Sequence, residues 1–180
     1  AFNIENSKLI ASAQTLEREN TGSYGIFTMK VTVEAGSEVI ATGGSDKAEN
    51  RPAKGGHALG FSWAAMGPGS GKLTATGGNA ESGSGNATGG DALWGSGGGI
   101  TSSGETTLIG GNAKSGSGAA AAGNAISGNC LYDKYFENVT VKKGTTTALG
   151  GKAENTGGGT ATDGNGLNIT MTPGSSQKPS

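Results

Sequence analysis

Few side chains in this sequence could carry catalysis. His57 is the only histidine and Cys130 the only cysteine, so a nucleophile–histidine pair could be built in one place at most. The neighbours Leu131 and Tyr132 favour a half-buried structural cysteine over a reactive thiolate. No catalytic residue is therefore predicted, and we expect a protein that is not an enzyme.

One short stretch could bind a metal ion. Asp163-Gly164-Asn165 resembles part of a calcium loop, in which oxygen ligands alternate around a tight glycine turn. The stretch lacks the further carboxylates that complete an EF-hand loop. We therefore predict neither a cofactor nor a metal ion, and name Asp163 and Asn165 as the residues that calcium would use.

Aromatic side chains are the strongest candidates for ligand binding. Trp63 and Trp94 both follow a short Ala-Leu segment, and Tyr132 and Tyr135 lie in an insertion beyond a related Ala-Ile segment. Exposed rings stack on sugar faces or anchor protein contacts because they offer a large rigid area with a polar handle. The alternative is that these rings cover the flank of a thin core, and the sequence favours neither reading.

Hydrogen-bonding side chains stand beside these rings. The residues just before the same segments are His57, Asp91 and Asn124. Stacked polar side chains at such positions also commonly stabilise the turns of a solenoid, which is the structural alternative. Sugars combine C–H faces with hydroxyl edges, so this mixture predicts a polysaccharide or a host or cell-surface glycan as partner. The predicted glycan-binding residues are Trp63, Trp94, Tyr132, Tyr135, His57, Asp91 and Asn124.

These segments belong to an internal repeat that is marked by paired glycines. The pairs are separated by 34, 33 and 40 residues and begin at Gly43, Gly77, Gly110 and Gly150. A period in this range is typical of solenoids and other repeat arrays. Residues 2–27 restate the pattern in a degenerate form.

Each repeat contains three short extended segments that are separated by glycine-rich corners. This pattern predicts an all-β solenoid of about five coils, with three short strands per coil and parallel stacking between coils. We expect a single domain over residues 1–172, followed by a Pro/Ser-rich linker or tail at 173–180. The polar tract from Glu81 to Thr88 is expected to loop outward.

Charged and apolar residues fall into columns when the glycine pairs are aligned. Two columns alternate in sign along the chain, as stacked strands require, because like charges directly opposite are destabilising. These columns are Lys8, Glu38, Lys72, Glu105 and Lys47, Glu81, Lys114, Glu154. Two apolar columns could fill the interior: Leu59, Leu93, Ile126, Leu167 and Ala41, Ala75, Leu108, Ala148. The inward face of the second segment stays open, because its alternate positions could point inward instead: Ile40, Thr74, Thr107, Thr147 and Thr42, Thr76, Ile109, Leu149.

Composition excludes several classes of protein. Glycine makes up 37 of 180 residues without the strict three-residue period of collagen. The net charge of −1 leaves no basic footprint for nucleic acid or an anionic membrane surface. No apolar run is as long as a membrane-spanning helix, so membrane insertion is not expected. The chain begins at Ala1, as a mature piece or excised domain would.

The repeat resembles a known group of surface proteins. Leu73-Thr74-Ala75-Thr76-Gly77-Gly78-Asn79-Ala80, with the Ala-Leu segment that follows, is similar to the Gly/Thr/Ala-rich right-handed β-helix proteins of bacterial cell surfaces. These include carbohydrate-binding β-helices that are similar in fold to polysaccharide lyases. The resemblance implies a right-handed parallel β-helix that is extracellular or at the cell surface, with adhesion or polysaccharide binding as its role inside a larger surface protein.

Three alternatives remain open from the sequence. A polysaccharide lyase-like enzyme would need clustered carboxylates or a basic residue in a groove. An ice-binding protein would present a flat threonine array, for which the candidates are Thr74, Thr76, Thr107 and Thr147. A bundle of glycine-rich polyproline II helices is a rival fold that needs little apolar core.

Overall fold

The computed structural model describes residues 2–13, 23–28, 31–61, 67–68, 71–95, 100–102, 104–130, 139–141 and 144–171. These residues form strands and turns, and every strand pairing among them is parallel. The predicted all-β class is confirmed. No described segment is a helix long and apolar enough to cross a membrane. The predicted tail lies outside the described residues.

The strands, numbered in chain order, fall into five successive groups. The first group is β1 (Phe2–Ile4), β2 (Lys8–Ser12) and β3 (Ile26–Thr28). The second is β4 (Val31–Val33), β5 (Glu38–Thr42), β6 (Asp46–Ala48), β7 (Ala53–Lys54) and β8 (Leu59–Phe61). The third is β9 (Gly67–Pro68), β10 (Lys72–Thr76), β11 (Ala80–Ser82), β12 (Ala87–Thr88) and β13 (Leu93–Gly95). The fourth is β14 (Ile100–Ser102), β15 (Glu105–Ile109), β16 (Ala113–Ser115), β17 (Ala120–Ala121) and β18 (Ile126–Cys130). The fifth is β19 (Val139–Val141), β20 (Thr146–Leu149), β21 (Ala153–Asn155), β22 (Ala161–Thr162) and β23 (Leu167–Met171).

Strands at matching positions of successive groups pair side by side. The two largest sheets have the orders β2-β5-β10-β15-β20 and β3-β8-β13-β18-β23. Two four-stranded sheets have the orders β6-β11-β16-β21 and β7-β12-β17-β22. The remaining strands form β1-β4-β9 and β14-β19. Each repeat is therefore hydrogen-bonded to the repeats next to it in the chain.

The prediction of three strands per repeat is wrong, because the described residues of the second to fifth groups form five strands each. The predicted outward loop from Glu81 to Thr88 is also wrong. It contains β11 and β12, and Ala87 is 1% exposed. Short strands separated by Gly, Ser and Asn carry the composition of a loop, and strands of two or three residues are too short to show alternation.

The predicted register is confirmed in both charged columns. Glu81 lies opposite Lys47 on one side and Lys114 on the other. The Lys47 Nζ–Glu81 Oε1 distance is 3.0 Å, and Lys8 Nζ lies 2.8 Å from Glu38 Oε2. Alternating charges therefore hold stacked strands in the alignment that the glycine pairs predict.

Reversing one charge in this column tests the register energetically. In Glu81→Lys, three like charges would stand in a row, and we expect the free energy of unfolding to fall by about 1 kcal/mol. The quadruple exchange Lys47→Glu/Glu81→Lys/Lys114→Glu/Glu154→Lys restores alternation and should restore stability in urea denaturation. If Glu81→Lys had the same free energy of unfolding as the wild type, charge alternation in this column would not contribute to stability.

The larger core lies behind the two largest sheets, and both predicted apolar columns contribute to it. Their buried members are Leu59, Leu93, Ile126, Ala41, Ala75 and Leu108. Leu167 pairs with Ile126 in the same register, and Ala148 packs partly buried against the core. The inward direction of Ala41 turns Ile40 and Thr42 outward, which settles a direction that the sequence left open.

A second, smaller core consists of alanines from the two four-stranded sheets. Its buried members are Ala53, Ala80, Ala87, Ala113 and Ala120. Their small side chains let the sheets approach closely. Both cores are thin, which explains how so few large apolar residues can support the fold.

A line of glycine backbone, here named the glycine seam, separates the two cores. The Gly56 N–H donates to the Gly44 carbonyl at 2.7 Å, and the Gly78 N–H donates to the Gly56 carbonyl at 2.8 Å. The Gly90 N–H continues to the Gly78 carbonyl at 2.9 Å, and the Gly111 N–H to the Gly90 carbonyl at 2.8 Å. The hydrogen bonds of the seam thus alternate: one joins two glycines of the same repeat, and the next joins that repeat to the following one. A Cβ atom at Gly56, Gly78, Gly90 or Gly111 would collide with backbone, so glycine is required for this approach.

A partly buried ion pair lies at the end of the alanine core. Asp46 occupies the position of Ala80 one strand earlier and is 5% exposed. Arg51 donates from Nη1 and Nη2 to the two carboxylate oxygens, each at 2.8 Å, and the Lys54 N–H donates at 3.0 Å. The hydrogen bonds from Arg51 hold the pKa of the Asp46 carboxyl below its usual range.

This lowered pKa makes stability depend on pH with a definite sign. The contribution of Asp46 is complete above the pKa of an unfolded aspartate, and it is lost as pH falls through the lower folded pKa. We expect Asp46→Asn to cost about 2 kcal/mol at neutral pH. It should also flatten the acid side of the stability–pH profile measured by urea denaturation. Parallel acid profiles for the two proteins would contradict this role of Asp46.

Candidate functional site

An aromatic surface lies on the outer side of β3, β8 and β13. Leu59 and Leu93 point inward from these strands, so Gly60 and Trp94, which follow them and pair in register, face outward. A Cβ atom on Gly60 would lie 2.5 Å from Tyr24 Cε1 and 2.7 Å from Phe27 Cδ2. The absence of a side chain at Gly60 therefore makes room for two rings.

Four rings form this aromatic surface: Tyr24, Phe27, His57 and Trp94. The His57 and Trp94 rings are stacked, with centroids 5.5 Å apart and planes 17° apart. Tyr24 lies 5.3 Å from His57 and 6.2 Å from Trp94, and it meets Phe27 edge to face at 5.1 Å. Contacts at these distances are favourable between aromatic rings, so they stabilise the arrangement of the four rings.

Polar side chains continue from this surface as a ladder across the repeats. His57 Nδ1 accepts a hydrogen bond from the Asp91 N–H at 2.9 Å. Asp91 Oδ1 accepts bonds from the N–H and Nδ2 of Asn124 at 2.6 and 3.1 Å. Asn124 Oδ1 then accepts the Asn165 N–H at 2.9 Å. Each side chain thus caps the backbone of the next repeat, which is a structural role.

The ladder also fixes the tautomer of His57. A backbone N–H can only donate, so Nδ1 must present its lone pair and the proton of the neutral ring lies on Nε2. Nδ1 also lies 3.3 Å from Asp91 Oδ2. His57 can therefore offer an Nε2–H donor to a ligand.

Burial of the Tyr24 ring raises the pKa of its hydroxyl, and the negative charge of Asp91 adds to this. The hydroxyl is therefore protonated at neutral pH and can donate a hydrogen bond. Tyr24 and His57 together place two neutral polar groups among the rings.

The structure brings together four of the predicted binding residues, namely His57, Asp91, Asn124 and Trp94. Trp63, Tyr132 and Tyr135 lie outside the described residues. Sequence reasoning missed Tyr24 and Phe27. Ile26 pairs with Leu59, which places Tyr24 in the column of His57. The sequence hides this alignment, because Gly25-Ile26 stands where Ala58-Leu59 stands in the next repeat.

The predicted calcium residues have protein partners. Asp163 accepts hydrogen bonds from Lys152 Nζ and the Ala153 N–H, both at 2.8 Å, and the bond to Lys152 lowers the pKa of its carboxyl. The Asn165 N–H belongs to the polar ladder. Within the described ranges, no three acidic, histidine or cysteine side chains gather as a metal site would require.

Comparison of the chain with protein-family models, curated proteins and solved structures finds no match. The geometry of the aromatic surface and its surroundings is therefore the observation that bears on function.

Proposed function

We propose that the chain is a right-handed parallel β-solenoid of about five coils that binds polysaccharide without catalysis. In-register parallel pairing from repeat to repeat supports the solenoid. Right-handedness is the near-universal hand of crossovers between parallel strands. The module would act outside the cell or at its surface, where such glycans occur, as part of a larger surface protein.

The observation that carries this proposal is the packing of Tyr24, His57 and Trp94 beside Phe27, which is 58% exposed. Rings of this kind present flat apolar area to the C–H face of a sugar. The His57 Nε2–H and the Tyr24 hydroxyl lie close to those rings and can bind sugar hydroxyls.

The proposal extends the surface to rings outside the described residues. Stacked repeats would place Trp63 near the same edge, and the insertion would supply Tyr132 and Tyr135. A chain of several sugar units lying along the stack would then contact rings from more than one coil.

Binding should depend on the described rings. On a glycan array with plant and host polysaccharides, we expect Trp94→Ala and Phe27→Ala each to weaken binding about tenfold, the equivalent of 1.4 kcal/mol. Leu149→Ala is a matched control, because Leu149 is 55% exposed on a different sheet. Absence of glycan binding by the wild type, or equal binding by all variants, would contradict the proposal.

A further inference from the structure

The outer side of the sheet β2-β5-β10-β15-β20 is a second surface with a regular pattern. Beside the charged column Lys8, Glu38, Lys72, Glu105, two further columns of side chains face outward from its strands in register. One column is Ile10, Ile40, Thr74, Thr107 and Thr147, and the other is Ser12, Thr42, Thr76, Ile109 and Leu149. We name these ten residues the threonine face.

The threonine face has fixed geometry. The residues between its columns, such as Ala41, Ala75 and Leu108, are 0% exposed and anchor each strand to the core. Eight of the ten outward side chains are threonine or isoleucine, which are stiff at χ1. Strand spacing of about 4.8 Å and a separation of about 7 Å between columns then give a two-dimensional array of methyl and hydroxyl groups.

Charge favours an uncharged occupant. Neither column contains an ionisable side chain. The charges nearest to the face neutralise one another, since Lys8 lies 2.8 Å from Glu38 and Lys72 Nζ lies 3.5 Å from Glu105 Oε1. The face therefore offers no attraction to an ionic ligand.

Area and ring content argue against two other occupants. The array covers only a few hundred Å², judged from strand spacing, whereas a stable protein interface needs about 800 Å² on each partner. Sugar rings bind best to aromatic side chains, and the threonine face contains none. A second copy of the chain and a crystalline polysaccharide are therefore disfavoured.

We infer that the threonine face binds the surface of ice. A threonine hydroxyl donates one hydrogen bond and accepts two, so it can stand in for a water molecule at the edge of a lattice. Methyl groups restrict the orientation of first-shell water, which favours ordered water above the face. Because the array is already fixed by the core, little conformational entropy is lost on binding.

Thermal hysteresis and ice recrystallisation measured on the whole chain test this inference. The wild type should open a gap between melting and freezing temperatures. Thr74→Lys/Thr107→Lys, which places two charged chains in the middle of the array, should reduce that gap to the value of buffer. The control Thr162→Lys adds the same side chain at an exposed position on β22 and should leave the gap unchanged.

Far-UV circular dichroism must show that the double variant keeps the wild-type spectrum. If it does not, Thr74→Val/Thr107→Val keeps the side-chain shape without the hydroxyls and should still narrow the gap. No hysteresis in the wild type, or a gap unaffected by both double variants, would overturn the inference. Binding of the wild type to crystalline cellulose that is lost in these variants would instead assign the face to a glycan. Trp94→Ala should not alter hysteresis, so this test is independent of the polysaccharide proposal.

Discussion

Gly90→Ala is expected to lower the free energy of unfolding by more than about 4 kcal/mol or to prevent folding, which few single substitutions do. A Cβ atom at Gly90 would collide with the carbonyl of Gly56. That carbonyl accepts the Gly78 N–H at 2.8 Å, so it cannot move aside without breaking the glycine seam. Chemical denaturation, or the soluble yield where unfolding is complete, measures the effect.

Gly158→Ala provides a matched control. Gly158 has a φ of +89°, but no atom lies within 4 Å of a Cβ placed there. The cost should be limited to the backbone penalty of about 1 kcal/mol for a residue in the left-handed region. If the two variants lost equal stability, close approach of backbones in the seam would not be the reason for glycine at position 90.

Leu93→Ala is the second substitution with a large expected effect, a loss of about 2–4 kcal/mol in the free energy of unfolding. Leu93 is 0% exposed, with Leu59 and Ile126 beside it on the neighbouring strands. Truncation would leave a cavity in a core that has few large side chains to fill it. Leu149→Ala, on an outward-facing position, should change stability by less than about 0.5 kcal/mol. Equal losses in urea denaturation would show that the inner and outer faces are misassigned.

The register could be predicted from the sequence because charge and apolar residues recur with the repeat. Lys47, Glu81 and Lys114 alternate in sign only when the strands stack in the observed alignment. Leu59 and Leu93 repeat at the same position and are both buried. Side chains that contact the equivalent residue of the next repeat produce a pattern that recurs in the sequence with the period of the repeat.

The division of each repeat by the glycine seam could not be predicted in this way. Paired glycines such as Gly77-Gly78 indicate a bend, but a residue without a side chain does not record whether backbone passes close to it. For the same reason β11 and β12 resembled a loop, although Ala80 and Ala87 line a core.

The candidate site was only partly predictable. Trp94 and His57 stand next to recognisable repeat segments, so their proximity follows from the register. Tyr24 precedes Gly25-Ile26, which replaces the Ala-Leu pair of the later repeats and hides the alignment. The predicted contributions of Trp63, Tyr132 and Tyr135 stay predictions.

A buried glycine seam joins the in-register repeats, and amide hydrogen exchange tests this structure most directly. The N–H groups of Gly78, Gly90 and Gly111 should be among the slowest in the protein, exchanging only on global unfolding. The Gly157 N–H, which donates to Asn155 Oδ1 at the exposed surface, should exchange much faster. Exchange of the seam amides at the rate of Gly157 would contradict the account.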